Sequence, residues 1–413
     1  MRWISLGLLF LTTLIAYADK VVIGLAAVPM MDEFSLTPSQ WGIIGSSFSI
    51  LYILTTVVGG AWSDRLGTTN MIFIVLAGIS LLQFGSFAIT GLTMLIIYRL
   101  LLGAVEGPLF PSGVSHVART FPAHMRAFAM SIIIAGGSIG GMVSAPILVG
   151  LIGNIGWRWT FVSMGFFSLA ILIVWALVDR YDKNKLNNNT AQAPKLRWTD
   201  VAPVLRNPAC ILTIAISAAS FWLITWGVLW APLYLTKIIH LTPMQMAFTV
   251  SGTGIVSLLL VFLISFVSDR IFKKTESFRK ARVWVAATST LIGGLALGAI
   301  PFAGDSIVLI FVALSLAKGA ANVNISMSAQ VMIKLMPERA GFISSILGVG
   351  NNIAQIIAPL LTGIFIQAAG ANLALGFHTS IFVMVGLFIA TAVLYYLFVK
   401  PDHVTKTTEL VTM

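Results

Sequence analysis

Long apolar segments separated by short polar ones run along the whole chain. Most of them hold about 20 residues or more, the length that a helix needs to cross the hydrocarbon core of a membrane. The strict alternation that marks membrane strands is missing, so the spans are predicted to be helices. The pattern predicts twelve spans, at residues 4–27, 40–61, 70–90, 93–117, 126–152, 157–178, 209–236, 244–267, 283–301, 306–335, 340–368 and 371–399.

Composition leads to the same class of protein. Of the 413 residues, 58% are hydrophobic and only 9% are charged. An ordinary soluble protein has roughly 25% charged residues, and no soluble fold could bury this much apolar surface. We therefore expect an integral, all-α membrane protein that is surrounded by the lipid bilayer.

The basic residues predict the orientation of the chain. The formal net charge is +11, which by itself could indicate a nucleic-acid partner. With a cytoplasmic N-terminus, however, 20 of the 25 Lys and Arg residues fall at cytoplasmic span ends and loops. This asymmetry follows the positive-inside rule, so both termini are predicted to be cytoplasmic, and no nucleic-acid partner is expected.

A polar segment divides the spans into two groups of six. Residues 179–208 begin with a strongly polar stretch and are predicted to form a cytoplasmic linker. They separate an N-terminal bundle, 1–178, from a C-terminal bundle, 209–400, which a cytoplasmic tail follows at 401–413.

The two groups also resemble each other in sequence. RAFAMSIIIAGG (126–137) aligns without gaps with RAGFISSILGVG (339–350), and the same offset pairs Pro146 with Pro359. Duplicated halves of six spans are typical of transporters that bind their substrate near the midplane of the membrane. We therefore predict two six-helix bundles related by pseudo-twofold symmetry.

Small residues in the fifth span predict a close helix contact. Gly137, Gly141 and Ala145 recur at every fourth position, which lets a neighbouring helix approach. Simple packing is the favoured interpretation, and a surface along which the two halves slide is the alternative.

Five charged residues lie deep inside predicted spans, away from the span ends. A charged side chain at the centre of a bilayer costs at least about 2.5–3.5 kcal/mol, so each needs a partner or a water-filled cavity. Each is therefore a candidate for function. They are Asp19 and Lys20 in span one, Arg99 and Glu106 in span four, and Lys318 in span ten.

The spacing of Arg99 and Glu106 indicates their geometry. Seven residues of helix turn through about 700° and rise about 10.5 Å, so both side chains share one face without forming a tight pair. Span one offers a complement for each of them, because Asp19 could pair with Arg99 and Lys20 with Glu106.

Such an arrangement suggests how proton and anion could be coupled. Burial disfavours the charged form of a carboxyl group, and a neighbouring cation favours it. A carboxyl group under both influences can take up and release a proton during a transport cycle. An arriving anion would compete with the two acids for the cations, and protonation of the acids would favour the anion. The alternative is a pair of static salt bridges between spans one and four.

Other polar or aromatic residues on spans are weaker candidates. Lys318 could reach a cavity or extend towards the membrane surface, and these two interpretations stay open. Tyr52 could serve a substrate carboxylate or simply pack in the core. For Trp230 and Tyr234 in span seven, packing is favoured over a position in a cavity wall. For Asn351 and Asn352 in span eleven, a cavity position is slightly favoured. The further cavity candidates are Asn322, Asn351, Asn352, Trp230 and Tyr234.

Several function classes are not supported by the sequence. The histidines lack the spacing of a metal site, so no metal is expected. No phosphate-binding glycine loop and no nucleophile elbow occurs, so neither an ATP-driven pump nor an enzyme is expected. No cofactor is predicted, and protons are the expected coupling ion.

The chain resembles the major facilitator superfamily over essentially its whole length. GGAWSDRLG (59–67) is similar to the loop motif that this superfamily carries between spans two and three. The resemblance implies gating roles for Asp64 and Arg65. The basic residues that usually close this motif are replaced here by Thr68-Thr69-Asn70.

Within that superfamily, the chain resembles the anion:cation symporters, which take up galactonate, glucarate and hexuronates. The residues that carry this resemblance are Tyr17-Ala-Asp19-Lys20, Tyr52, RLLLGAVEGPLFP (99–111) and Trp230-Ala-Pro232-Leu-Tyr234-Leu235. The resemblance implies that Asp19 and Glu106 are the protonatable pair and that Tyr17, Lys20, Tyr52 and Arg99 surround the substrate carboxylate. Many members carry arginine in place of Lys20, and lysine cannot make the two-pronged contact that arginine makes.

These observations predict a monomeric symporter of the bacterial inner membrane. It would move a small organic anion inward with protons, by alternating access of the two bundles. An exporter or anion exchanger of the same fold, for a metabolite, drug or siderophore, is the first alternative. A membrane sensor that binds an anion without transporting it is a remote one.

Overall fold

The computed structural model describes residues 2–181, 206–304, 306–337 and 340–401. Most of the predicted linker and tail lie outside these ranges. The described chain is almost entirely helical. Its helices are α1 (Arg2–Leu25), α2 (Ala27–Glu33), α3 (Pro38–Leu66), α4 (Thr68–Phe84), α5 (Leu92–Glu106), α6 (Leu109–Thr120), α7 (Ala123–Tyr181), α8 (Pro208–Leu229), α9 (Ala231–Lys237), α10 (Pro243–Thr275), α11 (Val285–Ala299), α12 (Ile307–Leu335), α13 (Ala340–Ala368) and α14 (Leu373–Phe398).

The helices account for the twelve predicted spans. Among the described residues, eleven segments are long and apolar enough to cross a membrane. One of them, within α7, contains Gly156 at φ 80°, where the helix direction breaks, and therefore supplies two spans. Pro146 and Pro359, which the sequence repeat pairs, both lie inside helices.

The bend at Gly156 is fastened by polar contacts. Arg158, just after the bend, forms an ion pair with Glu33 at 2.7 Å and donates to the carbonyl of Ile89 at 2.9 Å. The indole of Trp157 donates to the same carboxylate at 2.8 Å. These contacts hold the end of α2 against the turn that joins spans five and six.

The chain divides into two compact units. Among the described residues, the first unit holds 2–181 together with 228–251, and the second holds the remainder. In the first unit α1 and α4 pack against α7, and α3 packs against α5. The bundle boundaries 1–178 and 209–400 remain a prediction.

The second unit is built around α11. This helix packs against α12 and α14, and α13 packs against α14. Its core contains buried apolar side chains such as Cys210, Ile216, Val283, Met327 and Ile343.

Helix α1 approaches α7 within the first unit at two glycines. A side chain at Gly136 would strike the carbonyl of Phe10, and one at Gly140 would strike the carbonyl of Leu14. The sequence pattern instead pointed to Gly137 and Gly141. Of these, Gly137 also lies tightly against α1, because a side chain there would strike the ring of Tyr17, whereas Gly141 has open space beside it.

Two adjacent glycines on α7 provide a test of this contact. Gly140→Ala is expected to lower the melting temperature, because the new methyl group collides with the α1 backbone. Gly141→Ala is expected to leave it unchanged or raise it, because alanine favours a helix over glycine by roughly 0.8–1 kcal/mol. Thermal unfolding in detergent measures both variants. Equal effects of the two substitutions would contradict the contact.

Candidate functional site

The charged residues of spans one and four meet in the first unit. Arg99 and Glu106 both lie on the buried face of α5, as their spacing predicts. Nζ of Lys20 on α1 lies 3.9 Å from Oε2 of Glu106, so the expected pairing of these two residues is observed. Asp19, the neighbour of Lys20 on α1, is 1% exposed.

Three aromatic rings surround the ammonium group of Lys20. Its Nζ lies 4.4 Å from the ring centre of Tyr52, 4.9 Å from that of Tyr17 and 5.6 Å from that of Phe48. Ring faces carry partial negative charge and stabilise a cation that has lost its water. The structure thus brings Tyr17 and Tyr52, both predicted site residues, to the same cation.

Arg99 shares the ring of Phe48 with Lys20. The guanidinium carbon lies 4.6 Å from the centre of this ring. The Arg99 side chain is almost fully buried, and its Nε has no hydrogen-bond partner among the described residues. A buried guanidinium with donors to spare is suited to bind a carboxylate, which can accept two parallel hydrogen bonds from it.

The partner of Asp19 differs from the expected one. Within the described chain Asp19 forms no ion pair with Arg99. Instead, Oδ1 of Asp19 accepts a hydrogen bond from Nε2 of Gln83 on α4. Oε1 of Gln83 in turn accepts from the hydroxyl of Tyr98, at 3.1 Å. An amide can serve both neighbours because it carries a donor and an acceptor.

The buried carboxylate of Glu106 has few polar partners. Its carboxylate is 1% exposed, and neither oxygen has a hydrogen-bond partner in the described part of the chain. The ammonium of Lys20, at 3.9 Å, is its one ionic contact in that part of the chain. A buried carboxylate needs close partners, so a proton or a movement of Lys20 would each change the energy of this group strongly.

The backbone around Glu106 explains its position. A side chain at Gly103 would collide with the carbonyl of Phe48, so α5 lies directly against α3 there. The helix ends at Glu106, and α6 begins at Leu109. Pro111 has no N–H to offer the carbonyl of Gly107. The hydroxyl of Thr56 donates to this carbonyl instead, at 3.0 Å.

The remaining predicted cavity residues lie in several places. In the second unit, the side chain of Asn351 is buried, with an Oδ1 that lacks a hydrogen-bond partner among the described residues. Oδ1 of Asn352 accepts from Gln355 at 2.9 Å. Trp230 and Tyr234 are buried in the first unit at 0% and 1% exposure. Their roles remain predictions.

The predicted gating pair can be placed only in part, whereas Lys318 and Asn322 can be placed fully. Arg65 is exposed in the last turn of α3, and the side chain of Asp64 lies outside the described residues. Lys318 and Asn322 lie on α12 in the second unit, where each donates a hydrogen bond to a hydroxyl of α10.

Three residues of the first-unit site were missed from the sequence. Gln83 is an amide in an otherwise apolar span, which is the same signal that singled out Asn351 and Asn352. Phe48 lies one helical turn before Tyr52, and Tyr98 directly precedes Arg99. Their positions relative to known candidates were therefore available, but the neighbouring helix was not.

Known proteins resemble this chain along nearly all of its length. A D-galactonate transporter of Escherichia coli O6:H1 is 26% identical over 398 residues, which cover 89% of this chain and 90% of that protein. A probable galactarate/D-glucarate transporter of Escherichia coli K12 is 25% identical over 439 aligned positions, with coverage of 97% and 93%.

Solved structures and a family model agree with this. The crystal structure of a bacterial homolog to the human lysosomal transporter Spinster matches with a TM-score of 0.80 at 18% identity and covers 97% of each chain. This likeness shows the fold. The model of the Major Facilitator Superfamily matches residues 9–331, well over half of the chain. The protein therefore belongs to the Major Facilitator Superfamily and is a membrane transporter.

Proposed function

We propose that this transporter takes up a small organic anion together with protons. Sugar acids are the preferred class of substrate, which the transporter names of the two curated relatives support. The proposal places the protein in the bacterial inner membrane, as a monomer with both termini in the cytoplasm.

The observation that carries this proposal is the pair formed by Lys20 and Glu106. Their charged atoms lie 3.9 Å apart, which is a loose contact for an ion pair, and the Glu106 side chain is buried while that of Lys20 is 25% exposed. A substrate carboxylate would compete with Glu106 for the ammonium group. Protonation of Glu106 removes its negative charge and leaves Lys20 available to the substrate. Substrate binding and proton uptake thereby favour each other.

The aromatic setting of Lys20 supports the same mechanism. The rings of Tyr17, Phe48 and Tyr52 stabilise the ammonium group when its carboxylate partner changes. Arg99 also packs on the ring of Phe48 and adds a second cation for the anion. Asp19 instead accepts a hydrogen bond from Gln83, which in turn accepts one from Tyr98. In this proposal Asp19 therefore takes no part in the competition for Lys20.

Uptake into proteoliposomes tests the proposal. Labelled D-galactonate is expected to accumulate when the outside is made acidic, and a proton ionophore is expected to abolish the accumulation. Liposomes without protein serve as the control. Accumulation that is driven only by an outward proton gradient would assign the protein as an exporter instead. Uptake that ignores both gradients and requires internal anion would assign an exchanger.

A further inference from the structure

Asp19 and Arg99 are complementary buried groups that do not meet. Within the described chain they form no ion pair, and Asp19 is bonded to the amide of Gln83 instead. Oδ2 of Asp19 and Nε of Arg99 are both buried without a hydrogen-bond partner among the described residues. The two charges are close enough to act on each other. Because a hydrogen bond between two charged groups is stronger than one to a neutral amide, their separation needs a physical cause.

Gln83 is held from two sides by α5 and α7. Its side chain is fully buried on α4. A side chain at Gly165 on α7 would come within 3.0 Å of the Cβ of Gln83, so α7 passes close to this residue. On the other side, the hydroxyl of Tyr98 donates to Oε1 of Gln83 at 3.1 Å. The Tyr98 ring is itself packed against Phe161 of α7, with ring centres 5.9 Å apart. These contacts fix the place of the amide.

The chemistry of its two neighbours fixes how the amide of Gln83 is turned. An ionised carboxylate only accepts hydrogen bonds, so Asp19 needs the NH₂ end of the amide. The carbonyl end then faces Tyr98, whose hydroxyl donates to it. Because the amide is neutral, it binds Asp19 without adding a charge to the site.

Arg99 is the natural alternative partner of Asp19. A buried carboxylate that lost its amide partner would need another, because an unsatisfied buried charge is costly. Lys20 already faces Glu106, whereas Nε of Arg99 has no partner in the described part of the chain. An Asp19 that paired with Arg99 would compete with an arriving anion for the same donors.

We propose that Gln83, oriented by Tyr98, is a positioning residue that keeps Asp19 away from Arg99 and so leaves the guanidinium available to the substrate anion. The inference rests on the proposed function, because it assumes that the substrate is an anion and that Arg99 binds it. It adds a role for two uncharged side chains of the first unit, on α4 and α5.

A double-mutant cycle tests whether Gln83 acts through Asp19. Gln83→Leu removes the amide but nearly keeps the size of the side chain. It is expected to weaken binding of D-galactonate by about tenfold, the effect of one hydrogen bond to a charged group. Asp19→Asn, added to Gln83→Leu, is expected to restore most of the affinity, because asparagine cannot form an ion pair with Arg99. Calorimetric titration measures each affinity.

The single variant Asp19→Asn completes this cycle. Removal of an acid near an anion site can raise the affinity by itself, so the comparison between backgrounds is the decisive quantity. The gain from Asp19→Asn is expected to be larger with Gln83→Leu than with Gln83 in place. Equal gains in the two backgrounds would overturn the proposal, as would a Gln83→Leu protein that binds galactonate as tightly as the wild type.

Two more variants complete the binding experiment. Tyr98→Phe removes only the hydroxyl that orients the amide, and is expected to weaken binding less than Gln83→Leu does. Rescue by Asp19→Asn is expected there too, which keeps the test decisive if Gln83→Leu does not fold. Gln330→Leu is the matched control and is expected to bind normally. Gln330 lies on α12 and donates to the carbonyl of Ser326 on its own helix, at 3.4 Å.

Thermal unfolding supplies a readout that needs no ligand. If Gln83 separates the two charges, Asp19 and Arg99 should affect each other's contribution to stability more strongly once the amide is gone. Melting temperatures of Asp19→Asn, Arg99→Gln and their combination give this coupling, and they are measured with Gln83 and with Gln83→Leu. The coupling is expected to be larger with Gln83→Leu. Equal coupling in the two series would contradict the positioning role.

The positioning role and the proposed function fail in different ways. If the wild type shows proton-driven uptake of galactonate but Gln83→Leu binds it as tightly, only the positioning role fails. If the wild type neither binds galactonate nor takes it up, the proposed function fails. The melting temperatures then decide by themselves whether Gln83 keeps Asp19 away from Arg99.

Discussion

Replacement of Glu106 by glutamine is expected to reduce proton-driven uptake to the level of liposomes without protein. The amide keeps the shape of the side chain but cannot bind and release a proton. Exchange of labelled internal anion for unlabelled external anion should continue, because that half of the cycle needs no net proton movement. Uptake and exchange measured on the same proteoliposome preparation give the two readouts.

Glu276→Gln is the matched control for this experiment. Glu276 is an exposed acid just after the end of α10, in the second unit. Its replacement makes the same chemical change and should leave proton-driven uptake intact. Undiminished proton-driven uptake by Glu106→Gln would remove Glu106 from the coupling mechanism, whereas loss of exchange as well would indicate a binding or folding role.

Replacement of Arg99 by alanine is expected to abolish anion binding itself. Removal of one partner from a buried charge pair costs about 2–5 kcal/mol, which corresponds to a loss of affinity of roughly 30-fold or more. The neighbouring acids should make the loss larger, because they would then face the substrate with one cation fewer. Calorimetric titration with D-galactonate measures the affinity.

Two further variants keep this prediction open to refutation. Arg99→Lys retains the charge and is expected to bind more tightly than Arg99→Ala but less tightly than the wild type, because lysine offers no planar pair of donors. Arg270→Ala removes an exposed arginine near the end of α10 and should bind normally. Unchanged affinity in a folded Arg99→Ala protein, judged by its melting curve, would contradict the assignment.

The sequence was sufficient for the fold and for part of the site. Span positions follow from the length of the apolar segments, since each must cover the hydrocarbon thickness. The shared face of Arg99 and Glu106 follows from helix geometry, and the pairing of Lys20 with Glu106 follows from charge. These properties depend on one helix or on one pair of charges.

The partner of Asp19 could not be obtained in this way. Spacing along a helix tells which residues share a face, but it does not tell which neighbouring helix lies opposite. Gln83 belongs to span three, and the charge argument considered only spans one and four. Because the amide of Gln83 is uncharged, a search for charged residues in the spans does not find it.

For a related reason, the sequence could not show which glycine of each adjacent pair lies against the backbone of α1. Glycines occur in adjacent pairs, at 136–137 and again at 140–141. Adjacent residues point about 100° apart around a helix, so the two registers predict different contact faces. Only the position of α1 decides that the earlier member of each pair lies against its backbone.

The contact of α1 with α7 determines which charges travel together. Backbone atoms of α1 lie against Gly136 and Gly140, and the hydroxyl of Thr13 lies 3.1 Å from the carbonyl of Ile133. One helix cannot slip along the other without lifting these carbonyls out of their notches. Asp19 and Lys20 on α1 therefore move together with α7 as one rigid body. Spin labels placed on α1 and α7 should keep a constant separation throughout the transport cycle.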